Sequence, residues 1–392
     1  MREIFADLHI HIGRSQGRAI KITASRELTV KNILFQEAPH KGLDMVGIVD
    51  AGSTLVAAEI EEMLLHGELE EQPQGGFLAA NGVLMIAGAE IESREGVHWI
   101  IFLPFLHSIK SLQKYLRSRV RNMTLSTQKA DATAIDLLNL SYLLEGIFCP
   151  AHAFTPHKGA YGFWTDSLAD KMGRDLTQVK VLELGLSADS LMADMIAETS
   201  GFTFLSNSDA HSLANIGREY NLLRMKQKNF AEFRYCLENY EGRRVLANYG
   251  MDPLMGKYHR SFCLKCERIA AEAPPVQACA NCGSENLVNG VYDRIVSIRD
   301  YSEPRQPLGR APYYYRVPLQ KLPGIGPKTL EKLRAGLGSE IDICENANQD
   351  DISKIAGERV AALIIEMRKG RLDISPGGGG RYGKVQKNNR KQ

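Results

Sequence analysis

The chain opens on an alternation. In "REIFADLHIHI", Ile4, Ala6, Leu8, Ile10 and Ile12 share one phase, and Asp7, His9 and His11 share the other. A period of two predicts a strand over 3–11 whose polar groups project from a single face. Further apolar runs of strand length follow at 44–50 (DMVGIVD), 83–90 (VLMIAGAE), 98–103 (HWIIFL), 146–152 (GIFCPAH), 180–186 (KVLELGL) and 202–209 (FTFLSNSD). Helical stretches such as STLVAAEIEEMLLHGELEE and ADSLMADMIAETS lie between many of them. Repeated βα units imply a parallel sheet or barrel.

Barrel enzymes carry their chemistry at the C-terminal ends of the strands. The first strand ends at His9 and His11, the second at Asp50 and the third at Glu90. FCPAH ends at His152, FLSNSDAH delivers Asp209 and His211, and His98 opens the run that follows Glu90. Taken alone, the first strand could be the polar outer face of a sheet edge. Imidazoles and carboxylates at strand end after strand end point instead to one polynuclear metal site at a barrel mouth. Glu183 also ends a strand, and a structural hydrogen bond is expected of it rather than ligation. The aromatic-rich loop after His152, with Phe154, Tyr161, Phe163 and Trp164, is either a base-stacking cover or an ordinary hydrophobic anchor.

Composition adds a division. The net charge of +2 conceals 25 basic and 30 acidic residues in 1–250, against 23 basic and 16 acidic in 251–392. An acidic body joined to a basic appendix suits a metal-binding catalytic part beside a polyanion-binding one. Nothing at the N-terminus reads as a signal peptide, and no apolar run approaches the roughly 20 residues of a membrane helix. A soluble, cytoplasmic protein without membrane contact is expected.

In such a compartment CxxC pairs argue for metal rather than disulfides. Cys263, Cys266, Cys279 and Cys282 form CLKC…CANC with twelve residues between the pairs. That spacing fits a tetrahedral zinc site, structural because four thiolates leave no open position. Further on, LPGIGPKTLEKL carries Gly324, Gly326 and Lys328 in a helix-hairpin-helix pattern. Glycines there let amides at a helix N-terminus meet a DNA phosphate. A less perfect second hairpin in ISKIAGERVAALIIEM keeps Gly357 and Arg359. The last stretch, SPGGGGRYGKVQKNNRKQ, reads as a flexible basic tail. The expected division is a metal-dependent domain over 1–255, a four-Cys module over 256–315, helical hairpins over 316–375 and the tail over 376–392.

DLHIH followed by a late SDAH resembles the PHP (polymerase and histidinol phosphatase) superfamily. That resemblance implies an α/β fold, a distorted, usually seven-stranded (β/α)7-type barrel holding two or three metal ions that hydrolyse phosphoesters. One departure stands out: the superfamily's second motif usually reads Thr-Asp-His, and this chain has Asp50 followed by Ala51. The order of PHP barrel, four-Cys module, hairpins and PGGGGRYG resembles the endonuclease Q family over nearly the whole chain. It implies a repair enzyme that nicks double-stranded DNA 5′ of uracil, hypoxanthine, xanthine or an abasic site, leaving a 3′-hydroxyl and a 5′-phosphate. On that reading His9, His11, Asp50, Glu90, His98, His152, Asp209 and His211 hold the metals, and His9, His11, Glu90 and Asp209 carry the reaction. The ions would be Zn2+, with Mg2+ or Mn2+ as alternatives in the barrel. A PHP exonuclease or phosphatase, and a non-catalytic DNA-binding protein with a degenerate barrel, are the competing readings.

Overall fold

The computed structural model describes residues 1–386. Each apolar run forms a strand: β1 Arg2–Ile10, β2 Met45–Ile48, β3 Leu84–Glu92, β4 His98–Leu103, β5 Ile147–Pro150, β6 Val181–Glu183 and β7 Thr203–Leu205. β1, β2 and β3 pair in parallel, as do β6 and β7. Backbone bonds complete the ring. Ala153 N donates to Glu183 O (2.9 Å) between β5 and β6, and His11 N donates to Ala210 O (3.1 Å) between β1 and the end of β7. The result is the distorted seven-stranded barrel of a mixed α/β fold.

One strand departs from a pure βα repeat. β4 runs antiparallel to both β3 and β5. Only residues 93–97 join β3 to β4, too few for a parallel crossover. Reversal puts the first residue of β4, His98, at the mouth where the other strands end.

β1 is irregular as well. Ile4, Ala6 and Leu8 join the apolar cluster of Leu84, Ile86, Ile100 and Phe102, whereas Ile10 and Ile12 join the larger cluster around it. The register of β1 against β2 shifts between Asp7 and Ile10. A strand irregularity of this kind re-aims side chains. It separates Asp7 from the two histidines with which the alternation grouped it.

Beyond β1 the sheet continues through β8 Tyr220–Met225, β9 Arg244–Met251 and, after the four-Cys module, Tyr313–Arg316. Helix α1, Thr54–Leu65, begins where the Ser53 side chain accepts from Leu55 N. The helix expected in ADSLMADMIAETS shrinks to Ser190–Ala193 and a turn at Ala197–Gly201. There Asp194 is drawn into the Arg310 guanidinium at 2.7 Å. Helix α2, Phe230–Leu237, packs Phe230 and Phe233 against the barrel interior.

The four-Cys module has three short strands, Phe262–Cys263, Arg268–Ile269 and Leu287–Val288, followed by helix α3, Val291–Ile298. Arg294 of α3 donates to Tyr161 O (2.9 Å) and to Asp166 (2.5 Å), seating the module on the loop after His152. The third part packs α4 Pro327–Leu337, α5 Gln349–Ala356 and α6 Glu358–Arg368 around Leu333, Ile343, Ile352 and Ile364. Met255 and Val317 share that core. Pairs Arg316–Glu345 (2.6 Å) and Lys41–Glu340 (2.9 Å) fasten it to the barrel.

The tail expected to be flexible from 376 is folded as far as it is described. Ile374–Ser375 pairs with Lys384–Val385, and Gly378 bridges to Arg260 and Arg381. Close packing explains the run of glycines: a Cβ at Gly379, whose φ is +58°, would collide with the Phe262 ring. Residues 387–392, with Lys387, Arg390 and Lys391, lie outside the described residues.

Candidate metal centre

His9 and His11 stand at the barrel mouth with almost no exposure. His9 Nδ1 lies 3.0 Å from both oxygens of Glu183, and His11 Nδ1 lies 3.0 Å from Asp50 Oδ1. With those nitrogens donating, both Nε2 lone pairs point into the mouth, and they face one another at 3.3 Å. Two lone pairs at that separation repel unless a cation lies between them. Tetrahedral ligation at the usual Zn–N distance would put the two nitrogens roughly 3.3 Å apart. The donor set therefore fits a metal ion.

Three donor groups converge: His9, His11 and Glu90; Glu90, His98 and His152; and His11, Asp209 and His211. Glu90 belongs to two of them, and a carboxylate with two oxygens can bridge two ions. Its Oε1 lies 2.9 Å from His98 Nδ1 and 3.2 Å from His152 Nε2. Asp209 Oδ1 lies 3.4 Å from His11 Nε2 and 3.3 Å from His211 Nε2. His152 and Asp209 hold φ of +32° and +44°, a conformation costly for residues with a Cβ and concentrated at functional sites.

The electrostatics match. Burial would push the Glu90 carboxyl up, but His98 and Lys21 beside it hold it well below the usual carboxylate range. Asp209 is likewise held low against its burial, by His9 and by hydrogen bonds from His11 and His211. Burial would lower His9, yet Glu183, Asp209 and Glu90 raise it to about 10. The mouth carries an excess of negative charge that a cation would satisfy.

Two expected partners stand behind the donors instead of among them. Asp50 is occupied by His11 Nδ1 and by the Ile12 amide, 2.6 Å from Oδ2, so it orients His11 rather than joining a donor group. Asp7 accepts from the amides of Ser208 (3.0 Å) and Gly217 (2.9 Å), pinning the loop that carries Asp209. Burial raises its carboxyl to about 6, against those hydrogen bonds. Glu183 makes the hydrogen bonds expected of it, accepting from His9, the His152 amide and Asn207. Such partners fix the tautomer and orientation of ligating imidazoles.

Lys21 escaped the sequence reading. Its Nζ lies 3.1 Å from Glu90 Oε2 and 2.6 Å from Thr127 Oγ1. It comes from a polar loop without periodicity, so no pattern announced it. The aromatic loop after His152 divides. Phe154 and Tyr161 are buried and stack on each other at 5.2 Å, and Trp164 packs on Trp99. These anchor the core, while Thr155, His157 and Lys158 of the same loop line a cavity of about 490 Å3. His98, His152, Asp209 and His211 open into that cavity, and Tyr258, Arg218, Lys257 and Tyr382 wall it.

The four cysteines also converge. Cys263 and Cys282 have Sγ atoms 3.6 Å apart, as do Cys266 and Cys279. That is far beyond a disulfide and close to the roughly 3.8 Å that tetrahedral Zn–S geometry gives. The hairpin residues belong to the third part of the chain. Gly324 and Gly357 hold φ of +96° and +87° at the turns entering α4 and α6. Lys328 and Arg359 are exposed, and a Cβ on Gly324 would sit 3.2 Å from Val360, so the two turns abut.

No family model matches the chain. YqxK of Bacillus subtilis, an uncharacterised protein, is 40% identical over 391 residues, covering 98% of this chain and 100% of that one. MJ0043 of Methanocaldococcus jannaschii, also uncharacterised, is 36% identical over 254 residues, 60% of this chain and 31% of that one. The lesion-specific endonuclease PfuEndoQ from Pyrococcus furiosus superposes with a TM-score of 0.85 at 32% identity, over 98% of this chain and 95% of that chain. An endonuclease Q in complex with a 27-mer duplex substrate, with an abasic lesion at its active site, gives 0.84 at 32% identity over 98% and 96%. With likeness of this extent along barrel, four-Cys module and helices together, the chain belongs to the endonuclease Q family.

Proposed function

We propose that the protein is a metal-dependent DNA repair endonuclease. It hydrolyses the phosphodiester bond 5′ of a deaminated base (uracil, hypoxanthine, xanthine) or an abasic site, leaving a 3′-hydroxyl and a 5′-phosphate. The observation that carries this reading is the convergence of His98, His152, Asp209 and His211 on one cavity of about 490 Å3, within the size range of small-ligand pockets. Likeness to a lesion-specific endonuclease over nearly the full chain supports it.

In this reading Zn2+ occupies the four-Cys site, because thiolates select it, and Zn2+, Mg2+ or Mn2+ the barrel groups. His9, His11 and Glu90 would hold one ion, and Glu90, His98 and His152 a second. One imidazole nitrogen binds one ion, so His11 serves either the first group or the group of Asp209 and His211. Bound divalent ions would lower the pKa of a water and offset charge on the phosphoryl oxygens. Asp209, 31% exposed where Glu90 is closed off, faces the cavity and can orient the attacking water. Glu183 and Asp50 keep the two imidazoles aimed. The damaged nucleotide leaves the stack for the cavity, at least cost where its pairing is already weak, and meets His157 and Tyr258 there. Gly324, Gly326, Lys328, Gly357 and Arg359 hold the duplex by its phosphates, which position it without reading the lesion.

The test is a duplex carrying one internal deoxyuridine or abasic analogue, with the cut mapped to the nucleotide. A single nick immediately 5′ of the lesion, with the undamaged strand spared, is expected. Release from ends alone, with internal lesions ignored, moves the protein to the exonuclease reading.

A further inference from the structure

The PGGGGRYG stretch has a purpose that neither the metal groups nor the hairpins absorb. Its glycines press against the Phe262 ring of the four-Cys module and the Gly256 carbonyl. Gly377 N donates to Leu254 O (2.7 Å) and Gly383 N to Met255 O (3.0 Å). So held, the strap delivers one side chain, Tyr382, to the wall of the metal-bearing cavity.

Tyr382 arrives among cations. Arg218 Nη1 donates to its phenol oxygen at 2.7 Å. Lys321 Nζ lies 3.7 Å from the centre of its ring, and Lys257 Nζ 4.7 Å. Arg218 is itself 6% exposed and fixed by bonds to the Ser208 and Asp209 carbonyls, at 2.8 and 3.3 Å. Among the described residues no carboxylate pairs with Lys257 or Lys321. Lys321 is pushed down by burial and by Arg218 and Lys257, with only the phenol opposing. Among the described residues none of the three cations is salt-bridged to a carboxylate, and like charges so gathered repel one another. Arg218 and Lys257 stand on the cavity wall with Tyr382, and Lys321 lies against the ring of that tyrosine; such an assembly is built for an anion. Because the phenol oxygen accepts from Arg218, its own O–H remains free to donate.

The anion's chemistry follows from the neighbourhood. Asp209, whose carbonyl holds Arg218, is one of the metal donors, and both residues wall the same cavity. We infer that Tyr382, Arg218, Lys257 and Lys321 form a clamp for a backbone phosphate of the strand being cut, one neighbouring the scissile group. This inference rests on the proposed function and deepens it. The cluster is drawn from four stretches of the chain: Arg218 from the barrel, Lys257 from the start of the four-Cys segment, Lys321 from the start of the helical part, and Tyr382 from the strap. A phosphate there would be gripped only when all of them are in place.

The experiment uses the full-length, metal-loaded protein and a set of lesion duplexes, each with one phosphate near the lesion replaced by neutral methylphosphonate. For wild type, one position other than the scissile one should lower kcat/KM about tenfold, the effect of one charge-assisted contact. The double variant Lys257→Ala/Lys321→Ala should cut the unmodified duplex about tenfold more slowly and lose nothing further at that position. Tyr382→Phe, which keeps the ring, should show the same insensitivity in weaker form. Wild-type rates in the double variant, or losses that multiply at every position, overturn the clamp. If wild type cuts no lesion duplex, the functional reading fails separately, and the clamp is judged on plain duplex. There the double variant must show a shallower fall of affinity with salt, and an unchanged slope overturns it.

Discussion

The cysteine site and the barrel mouth solve the same problem from opposite ends. Cys263 and Cys282 bracket a few turns of chain in which Val276 is the only buried apolar side chain apart from the cysteines. So little core cannot hold three short strands together, and the metal must supply the missing stability. The barrel donors run from His9 to His211, and each stands on a buried strand or just beyond the end of one. There the fold exists first and the metal is received. The lesson is that ligand spacing in sequence predicts what loss of the metal does to the protein.

The sharpest attempt to break this contrast is Cys279→Ser. It should lose about one zinc per chain and unfold the module, since binding and folding are coupled in such sites at roughly 10 kcal/mol or more. The strap should come loose with it, because Gly379 packs on Phe262. Elemental analysis showing unchanged zinc would remove the assignment.

Asp209→Asn is the counterpart at the barrel. The chain should fold, keep its four-Cys zinc and bind damaged duplex, while incision falls at least about a hundredfold, or roughly 3 kcal/mol of lost transition-state stabilisation. Near-normal nicking would refute the role given to Asp209. Glu183→Gln should do less. It leaves every donor in place but loosens His9, and metal titration should find affinity for the barrel ions reduced about 10- to 100-fold with thermal unfolding little changed. A collapse of the fold would mean that the barrel, too, depends on its metal. The smallest effect belongs to Lys328→Glu. Affinity for lesion and plain duplexes should fall together, and the slope of log affinity against log salt should become shallower by about one per lost contact. A loss confined to lesion DNA would mean that the hairpin reads damage.

What could be read from the sequence follows the same division. The cysteines are a local pattern and converge as their spacing predicts; the glycine motifs are local too, and Gly324 and Gly357 sit at left-handed turns. The seven strands were legible because each is an apolar run bounded by polar chain. The mouth was legible only in outline. Alternation grouped Asp7 with His9 and His11, but the register shift within β1 is a tertiary event without a sequence mark. Asp50 resembles a ligand in sequence, and only the fold shows that its oxygens accept from the His11 ring and the Ile12 amide. Lys21, Arg218 and Tyr382 come from irregular segments, where no periodicity says which way a side chain faces. The glycines of the tail read as flexibility, yet they answer to close packing.

The reversal of β4 also bears on how the mouth comes together during folding. Glu90 and His98 are joined by a hairpin, so their contact closes a loop of a few residues, an event of microseconds. His9 and Asp209 meet only when almost the entire barrel has been threaded, a pairing that pays the full entropy of a long loop before any contact rewards it. One donor pair is therefore assembled early and locally, and the remaining donors are added to it as the ring closes.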